Sequence, residues 1–344
     1  MQTAAKIKVK TPESKPGKPH PIFKRFERFK TSFPNHLLCS PYLENQADRN
    51  GRVTPSLIKH YLSMVRQGVG AVIVESAYVS QQGRAHFHQL GISEEEHLDG
   101  LEKLVKAVRD EGAAIGISLT HSGAKTSESI CGEQPVGPSP FNFGRDYDTS
   151  REFDQGDREE IILNFVHAAE RACEVGMNFI EIHGTDHFLL DQCFSLKFNN
   201  RDDEYGPSKL ENRIRLPLEI IHAVHQRETV KIPMCFQFSI HDKIEDGFGP
   251  KDLEKLIKLS EKNGVDLFHP MPPHILNRLF DKEENLLEWI SKYTKKPLIA
   301  EGNIKSPQML KDISFLKLAD WYVMEHSIYA RPQWFQFLNR KMIS

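Results

Sequence analysis

A helix, then a glycine, then a short apolar strand recur along this sequence. Residues 54–75, "TPSLIKHYLSMVRQGVGAVIVE", give the plan: Thr54 and Pro55 favour a helix start, Gly68 favours its end, and an apolar run follows. The plan returns at residues 93–119, where Ser93 is the predicted cap, and again at residues 157–183 and 250–269. A chain made of such units is confined to α/β folds in which parallel strands alternate with helices.

Eight apolar runs are predicted strands: Leu37–Pro41, Ala71–Glu75, the run ending in "GISL" at Leu119, Phe179–His183, Ile232–Phe238, Val265–His269, Pro297–Glu301 and Asp320–Met324. Their hydrophobicity is nearly continuous, which indicates burial on both faces of a parallel sheet. Eight strands in about 310 residues favour one closed (β/α)₈ TIM barrel, spanning residues 22–344. An open doubly wound sheet is the alternative, but no GxGxxG follows the first strand.

The charge and the apolar runs limit the class of partner. A formal net charge of −2 and a pI near 6.8 give no reason to expect nucleic acid or an anionic surface. No apolar run approaches the ~20 residues that cross a bilayer. Residues 1–21 are rich in Lys and Pro and lack an apolar signal core, so they are predicted to be a disordered basic arm. We expect no nucleic acid and no membrane partner.

The five cysteines are widely spaced and form no CxxC pair. This pattern is typical of reduced thiols, and it predicts a cytoplasmic protein.

Histidines follow the third to sixth predicted strands, where a barrel carries its active site: His121, His183, His241 and His269. Together with Asp186 or Glu301 they offer nitrogen and oxygen ligands that suit Zn²⁺, Fe²⁺ or Mn²⁺. A metal-dependent hydrolase or lyase is therefore one functional hypothesis, although no HxH or HExxH motif supports it.

The stretch "IEIHGTDHFLLDQCFSLKFNNRDDEYG", residues 180–206, continues into "RDDEYGPSKLENRIRL". This block resembles the "NxRxDEYGGSxENRxRF" pattern of the Old Yellow Enzyme family of FMN-dependent ene reductases and their NADH:flavin oxidoreductase relatives. The resemblance extends from about Ile22 onward. It implies a (β/α)₈ barrel that holds FMN at the carboxyl ends of its strands. It also implies hydride transfer from NADH or NADPH, through the flavin, to an activated alkene or quinone-like acceptor.

The resemblance implies four catalytic positions. His183 and Asp186 stand where the family holds the substrate carbonyl, and His187 is the neighbouring substitute for Asp186. An ionised Asp186 would repel a developing enolate, unless the carboxyl is protonated or instead bonds His183 and keeps it cationic. Phe188 stands where the family has a proton-donating Tyr, and phenylalanine has no proton to give.

The flavin-contact positions implied by the resemblance are at strand ends: Ser40, Pro41, Ser76, Ser118, Gln237, Gly302, Asn303, Met324 and Glu325. Ser118 stands where a longer Gln pairs with the pyrimidine edge, and the neutral Gln237 stands where an Arg lies beside the flavin. Met324 and Glu325 replace the Gly-Arg pair at the phosphate, and a carboxylate beside a phosphate is unfavourable by about 1–4 kcal/mol. The expectation is weakened FMN binding.

A third hypothesis is a member of the family that has lost catalysis and binds a small ligand or a partner protein. Phe188, Leu43 and Met324 would make the mouth of the barrel more apolar, which suits binding. For the enzyme, the expected partners are a small-molecule substrate and a second copy of the chain in a homodimer.

Overall fold

The structure is a computed structural model, and it describes residues 20–41, 43–239, 249–272, 274–278, 284–324 and 333–343. The predicted basic arm therefore lies outside the described residues, apart from His20 and Pro21. His20 is buried and lies edge-on to Phe315, and Pro21 begins a 3₁₀ turn, Pro21–Phe23.

Eight parallel strands form the central sheet: β1 Leu37–Cys39, β2 Ala71–Tyr78, β3 Ala114–Thr120, β4 Phe179–Gly184, β5 Met234–Ser239, β6 Leu267–Met271, β7 Ile299–Ala300 and β8 Trp321–Val323. The order across the sheet is β6-β5-β4-β3-β2-β1-β8-β7. A parallel bridge between Phe268 and Leu298 joins β6 to β7 and closes the ring. The predicted (β/α)₈ barrel is confirmed.

A helix follows each strand: α1 Pro55–Arg66, α2 Leu98–Asp110, α3 Gln155–Glu174, α4 Arg215–Gln226, α5 Pro250–Lys262, α6 Leu286–Ser291, α7 Pro307–Phe315 and α8 Trp334–Ile343. Shorter helices are Glu95–His97, Glu128–Cys131, Leu189–Phe194 and Leu210–Arg213. Two further strand pairs are Phe26–Arg28 with Thr31–Phe33, and Val136–Gly137 with Arg151–Glu152. Among the described residues, no helix has the length and apolar character needed to cross a membrane.

Apolar side chains fill the barrel interior at the amino-terminal ends of the strands. The cluster consists of Phe33, Leu38, Ala71, Ile73, Ala114, Phe179, Cys235, Leu267, Ile299, Trp321 and Val323. The hairpin before β1 closes this end, because Phe26 and Phe33 lie 5.5 and 5.1 Å from the Trp321 ring. Polar interior side chains are thereby confined to the carboxyl-terminal half of the barrel.

The predicted start of α1 is confirmed, and that of α2 is wrong. The Thr54 hydroxyl accepts from the Leu57 backbone N–H at 3.2 Å. Ser93 does not cap α2, which begins at Leu98 after the 3₁₀ turn Glu95–His97. The buried His97 ring causes this delay, since its Nδ1 accepts from the Glu94 N–H at 3.0 Å while its Nε2 lies 2.9 Å from the Asn50 carbonyl.

The four glycines that end the repeated helices all have left-handed backbone: φ is +109° at Gly68, +85° at Gly112, +84° at Gly176 and +116° at Gly264. A residue with a side chain is strained in this region, whereas glycine is not. The glycine in each repeat therefore sets the point where the helix stops and the chain turns into the next strand.

Gly264→Ala is expected to destabilise the protein more than Gly112→Ala. Both variants strain a left-handed residue, at about 1–2 kcal/mol each. A Cβ at position 264 would also lie 2.2 Å from Cγ of His225, whereas nothing lies within 4 Å of a Cβ at position 112. That contact adds about 1–3 kcal/mol of overpacking. Urea unfolding measures both losses, and equal losses would contradict the contact.

Candidate active site

Polar side chains form two rows across the interior of the barrel. Residues two apart on a strand face the same side, so Glu181 and His183 on β4 both point inward. In the strand register, Glu181 lies between Ser118 and Cys235. His183 pairs with Gln237, which pairs with His269 on β6. The barrel interior on β3 to β6 is therefore polar between the apolar cluster and the carboxyl-terminal ends of these strands.

His269 lies between two carboxylates. Its Nδ1 is 2.7 Å from Oε2 of Glu181, and its Nε2 is 2.8 Å from Oε2 of Glu301. The Glu181 and His269 side chains are fully buried, while that of Glu301 is 20% exposed. Burial works against a charged ring, but the two carboxylates, Glu181 foremost, outweigh it and raise the pKa of His269 to about 9. His269 is therefore an imidazolium at neutral pH.

Two further side chains bond Glu181. Ser118 Oγ donates to Oε1 at 3.0 Å, and Cys235 Sγ lies 3.6 Å from Oε2. Burial, and then the charge of Glu181, hold the pKa of the Cys235 thiol well above its usual range, so the thiol keeps its proton. Glu181, Cys235 and His269 bring ligand-type atoms within 4.8 Å of one another, but the contact of Glu181 with His269 is a hydrogen bond.

His183 is almost completely enclosed, with 3% of the residue exposed. Its Nδ1 lies 3.3 Å from Ser76 Oγ and 3.5 Å from Ser118 Oγ. On the other side, its Nε2 lies 3.3 Å from Thr185 Oγ1 and 3.4 Å from Asp186 Oδ2. Both ring nitrogens therefore already have protein partners.

Asp186 projects from the loop after β4 into the mouth. Its φ is +61°, and that of His187 is +57°. Lys125 Nζ donates to the Asp186 carbonyl at 2.6 Å, which stabilises the turn. Desolvation at the mouth opposes ionisation of the carboxyl, but the His183 contact and then the Lys125 charge outweigh it and lower the pKa of Asp186 to about 2. The sequence allowed a protonated carboxyl or one that bonds His183, and the structure places the carboxyl in contact with His183.

His187 and Phe188 point in different directions. His187 Nδ1 lies 3.2 Å from Asp191 Oδ2, and its ring is 5.2 Å from the Phe198 ring, so it does not take the place of Asp186 beside His183. Phe188 is buried with its ring 5.4 Å from that of His183. Lys125 Nζ lies 5.3 Å from the centre of the Phe188 ring.

The residues that are predicted to contact the flavin ring lie at strand ends around this network. Ser40 and Pro41 follow β1 and are half-buried. Ser76, Ser118 and Gln237 are buried. Gln237 Oε1 accepts from Thr185 Oγ1 at 3.1 Å, and its Nε2 lies 3.5 Å from His269 Nδ1. A neutral amide backed by the His269 imidazolium thus stands at the predicted position of an arginine.

The predicted phosphate loop bends through two left-handed residues, with φ of +131° at Gly302 and +58° at Asn303. Such bends build concave nests of backbone N–H groups that suit anions. Gly302 also lies close to another loop, since its carbonyl accepts from the Ile275 N–H at 3.0 Å. Met324 is buried at the end of β8, and Glu325 lies outside the described residues. The loop therefore has a backbone bend of the kind that can hold an anion, at the position predicted for the phosphate of FMN.

Among the described residues, the metal ligands that the sequence suggested form separate pairs, His183 with Asp186 and His269 with Glu301. His121 follows Thr120, the last residue of β3, where it lies beside Gly83 and accepts from the Gly123 N–H at 3.1 Å. Burial lowers the pKa of His121 to about 4, so the ring is neutral. His241 lies outside the described residues.

The sequence profile of the NADH:flavin oxidoreductase / NADH oxidase family matches residues 21–342. The chain belongs to this family. An NADPH dehydrogenase of Clostridium acetobutylicum is 32% identical over 317 residues, which cover 90% of this chain and 92% of that protein. An NADH oxidase of Thermoanaerobacter brockii is 32% identical over 311 residues, which cover 87% of this chain but 48% of that protein. The chain thus spans about half the length of that second relative.

Solved structures show the same fold. Morphinone reductase in complex with tetrahydroNAD aligns with a TM-score of 0.80 over 92% of this chain and 91% of its own, at 22% identity. A 2-naphthoyl-CoA reductase complex aligns with a TM-score of 0.82 at 22% identity, covering 93% of this chain and 52% of its own. The predicted family and barrel are confirmed, and the family favours the flavin oxidoreductase over the metal-dependent and binding-only hypotheses. The roles of individual site residues remain predictions.

Sequence analysis missed Glu181, Thr185, Cys235 and Lys125. The sequence contained a signal for Glu181 and Cys235. Glu181 lies two residues before His183 on its strand, and Cys235 lies two residues before Gln237 on the next strand. An apolar run interrupted at every second position near its carboxyl end indicates a polar stripe facing the barrel axis. Lys125 and Thr185 gave no such signal, since they lie in loops.

The His269 network predicts a stability that falls as the pH rises. A pKa raised from 6.5 to about 9 means that the stabilisation is complete below pH 6.5 and is lost as the pH passes through 9. The change is on the order of 3 kcal/mol. Urea unfolding at pH 6, 7.5 and 9 measures it, with His269→Gln as the control that removes this titration. A constant difference between the two proteins across these pH values would contradict an imidazolium at this position.

Proposed function

We propose that this protein is an FMN-dependent NAD(P)H oxidoreductase that reduces a small activated alkene or quinone-like acceptor. The observation that carries the proposal is the position of His183, at the carboxyl end of β4 and in contact with Ser76, Ser118 and Asp186. In a barrel of this family that position lies at the mouth where the substrate binds. The relatives described above are an NADPH dehydrogenase and an NADH oxidase, which agrees with a nicotinamide reductant.

When bound, FMN accepts a hydride from NADH or NADPH and passes it to the acceptor. We assign the phosphate to the backbone of Gly302 and Asn303, and the ring to Ser40, Pro41 and Ser76 through backbone atoms. Gln237 provides a hydrogen-bonding side chain at the polar edge of the ring, whereas the hydroxyl of Ser118 is bonded to Glu181. The buried His269 imidazolium lies behind Gln237 and contributes the positive charge at that edge.

His183 is held in place for a positioning role. Four hydroxyl and carboxylate oxygens fix both of its ring nitrogens, so the ring cannot rotate without breaking several contacts. His183 contacts Asp186, whose side chain is 66% exposed. This contact fixes the position of the carboxylate that meets the substrate. Phe188 closes the wall beside it with an apolar ring and supplies no proton.

We propose that the protein works in the cytoplasm and as a homodimer. All five cysteines are free thiols, which agrees with a reducing compartment. Phe337 on α8 is 56% exposed, and large apolar side chains at the surface are typical of subunit interfaces. Light scattering during gel filtration tests the homodimer.

FMN is expected to remain bound when excess cofactor is added to the purified protein and removed by desalting. The retained flavin gives a visible band near ~450 nm, and anaerobic NADH or NADPH is expected to bleach it. A colourless protein after desalting would overturn the proposal.

Phe188→Tyr is expected to accelerate reduction of an activated alkene such as 2-cyclopentenone. The new hydroxyl lies beside the His183 ring and provides the proton that the alkene needs after hydride transfer, a step for which general acids give about 10²-fold or more. Steady-state rates with NADPH measure the effect, with Phe194→Tyr as the control for adding a buried hydroxyl. Unchanged alkene turnover in Phe188→Tyr would mean that protonation does not limit the reaction.

A further inference from the structure

The polar group that faces the mouth is a carboxylate. The His183 side chain is 3% exposed, whereas that of Asp186 is 66% exposed. Any substrate that reaches this side of the mouth therefore meets Asp186 before the imidazole. A carboxylate can only accept hydrogen bonds, so the Asp186 side chain offers no donor to a substrate carbonyl or enolate oxygen.

The contacts of Asp186 leave its exposed side available. Oδ2 faces inward, 3.2 Å from Thr185 Oγ1 and 3.4 Å from His183 Nε2. Lys125 donates to the backbone carbonyl of Asp186 at 2.6 Å. Asp191 adds a second carboxylate nearby, which is 7% exposed and bonded to His187. The exposed side of Asp186 therefore offers a charged acceptor to a cation or to a strong hydrogen-bond donor.

Phe188 favours the same class of substrate for a different reason, which is the supply of a proton after hydride transfer. An alkene that receives a hydride becomes an enolate-like anion and then needs a proton at carbon. Phe188 has none, and His183 beside it is enclosed with both ring nitrogens contacted. A protonated C=N group needs no further proton, because it accepts the hydride as a cation and becomes a neutral amine.

We propose that the mouth binds and reduces small protonated imines, with the substrate N–H donating to the exposed Asp186 carboxylate. This substrate class rests on the proposed flavin-dependent hydride transfer. The hydride forms the new C–H bond, and the π pair of the C=N bond moves to nitrogen. NADH or NADPH is the electron source and is oxidised to NAD⁺ or NADP⁺. The iminium becomes the amine, and no proton is taken from the protein.

The binding test uses pyrrolidinium, a cation that bears N–H donors and cannot be reduced, and cyclopentanone as its neutral partner. Titration of the purified protein at pH 7, followed by ligand-observed NMR, gives both dissociation constants. Pyrrolidinium is expected to bind on the order of tenfold more tightly than cyclopentanone, as a charge-assisted hydrogen bond allows. Asp186→Asn is expected to remove that preference, while Asp202→Asn, an exposed carboxylate on the same connection, is the matched control.

The turnover test compares 2-methyl-1-pyrroline with 2-cyclopentenone in the presence of NADPH, and identifies 2-methylpyrrolidine by NMR. Imine turnover that falls at least tenfold in Asp186→Asn and not in Asp202→Asn supports the proposal. Phe188→Tyr is expected to shift the ratio of rates toward the enone.

The failures of the two proposals are distinguishable. A flavin that NADPH reduces and that turns over 2-cyclopentenone, without pyrrolidinium binding or imine reduction, overturns the imine proposal and leaves the proposed function intact. Pyrrolidinium binding that requires Asp186, in a protein that retains no FMN, supports the carboxylate as the binding group and overturns reduction itself. Pyrrolidinium binding that Asp186→Asn leaves unchanged overturns the imine proposal, whatever the flavin does.

Discussion

The hydrogen-bonded triad of Glu181, His269 and Glu301 is the interaction on which the rest of the site depends. It joins β4, β6 and the end of β7 across the barrel interior, with Nδ1 and Nε2 of one imidazole each within 2.8 Å of a carboxylate. Removing one member of such a buried set leaves an uncompensated charge and costs about 3–5 kcal/mol. Because Glu181 and His269 are fully buried, the strands fix the geometry of their contact and solvent does not.

The triad sets the arrangement of its neighbours. Glu181 has one oxygen on His269 and the other on Ser118, and Ser118 in turn lies beside His183. His183 then contacts Asp186 at the surface of the mouth. A continuous chain of polar contacts thus runs from the fully buried Glu181 to an exposed carboxylate. The positive charge of the interior lies on His269 of β6, beside a neutral Gln237 on β5.

The fold followed from the sequence because its signals are local. Four glycines that end helices and eight apolar runs were enough to predict the barrel, and the left-handed φ of Gly68, Gly112, Gly176 and Gly264 gives the physical reason. The start of α2 was wrong because His97 bonds Asn50, which is distant in sequence, and no local propensity encodes that contact.

The site was only partly predictable, because its chemistry depends on which residues face the axis. Reading histidines at strand ends grouped His121 with His183, although His121 lies beyond the end of β3 and His183 lies within β4. The alternation of inward-facing and outward-facing residues along β4 and β5 would have identified Glu181 and Cys235 as interior residues. The charge state of Asp186 required the structure, since it depends on a His183 contact and on Lys125 from another loop.

Asp186 and Phe188 are separate departures from the family pattern. One property of the substrate, a positive charge before hydride transfer, accounts for both. A substrate that arrives neutral needs a hydrogen-bond donor at its oxygen and later a proton at carbon, and these two positions provide neither. A substrate that arrives protonated brings its own donor to the carboxylate and loses its charge when the hydride is delivered. The contact between His183 and Asp186, 3.4 Å long and sheltered by Thr185, is what keeps the carboxylate in position for both stages.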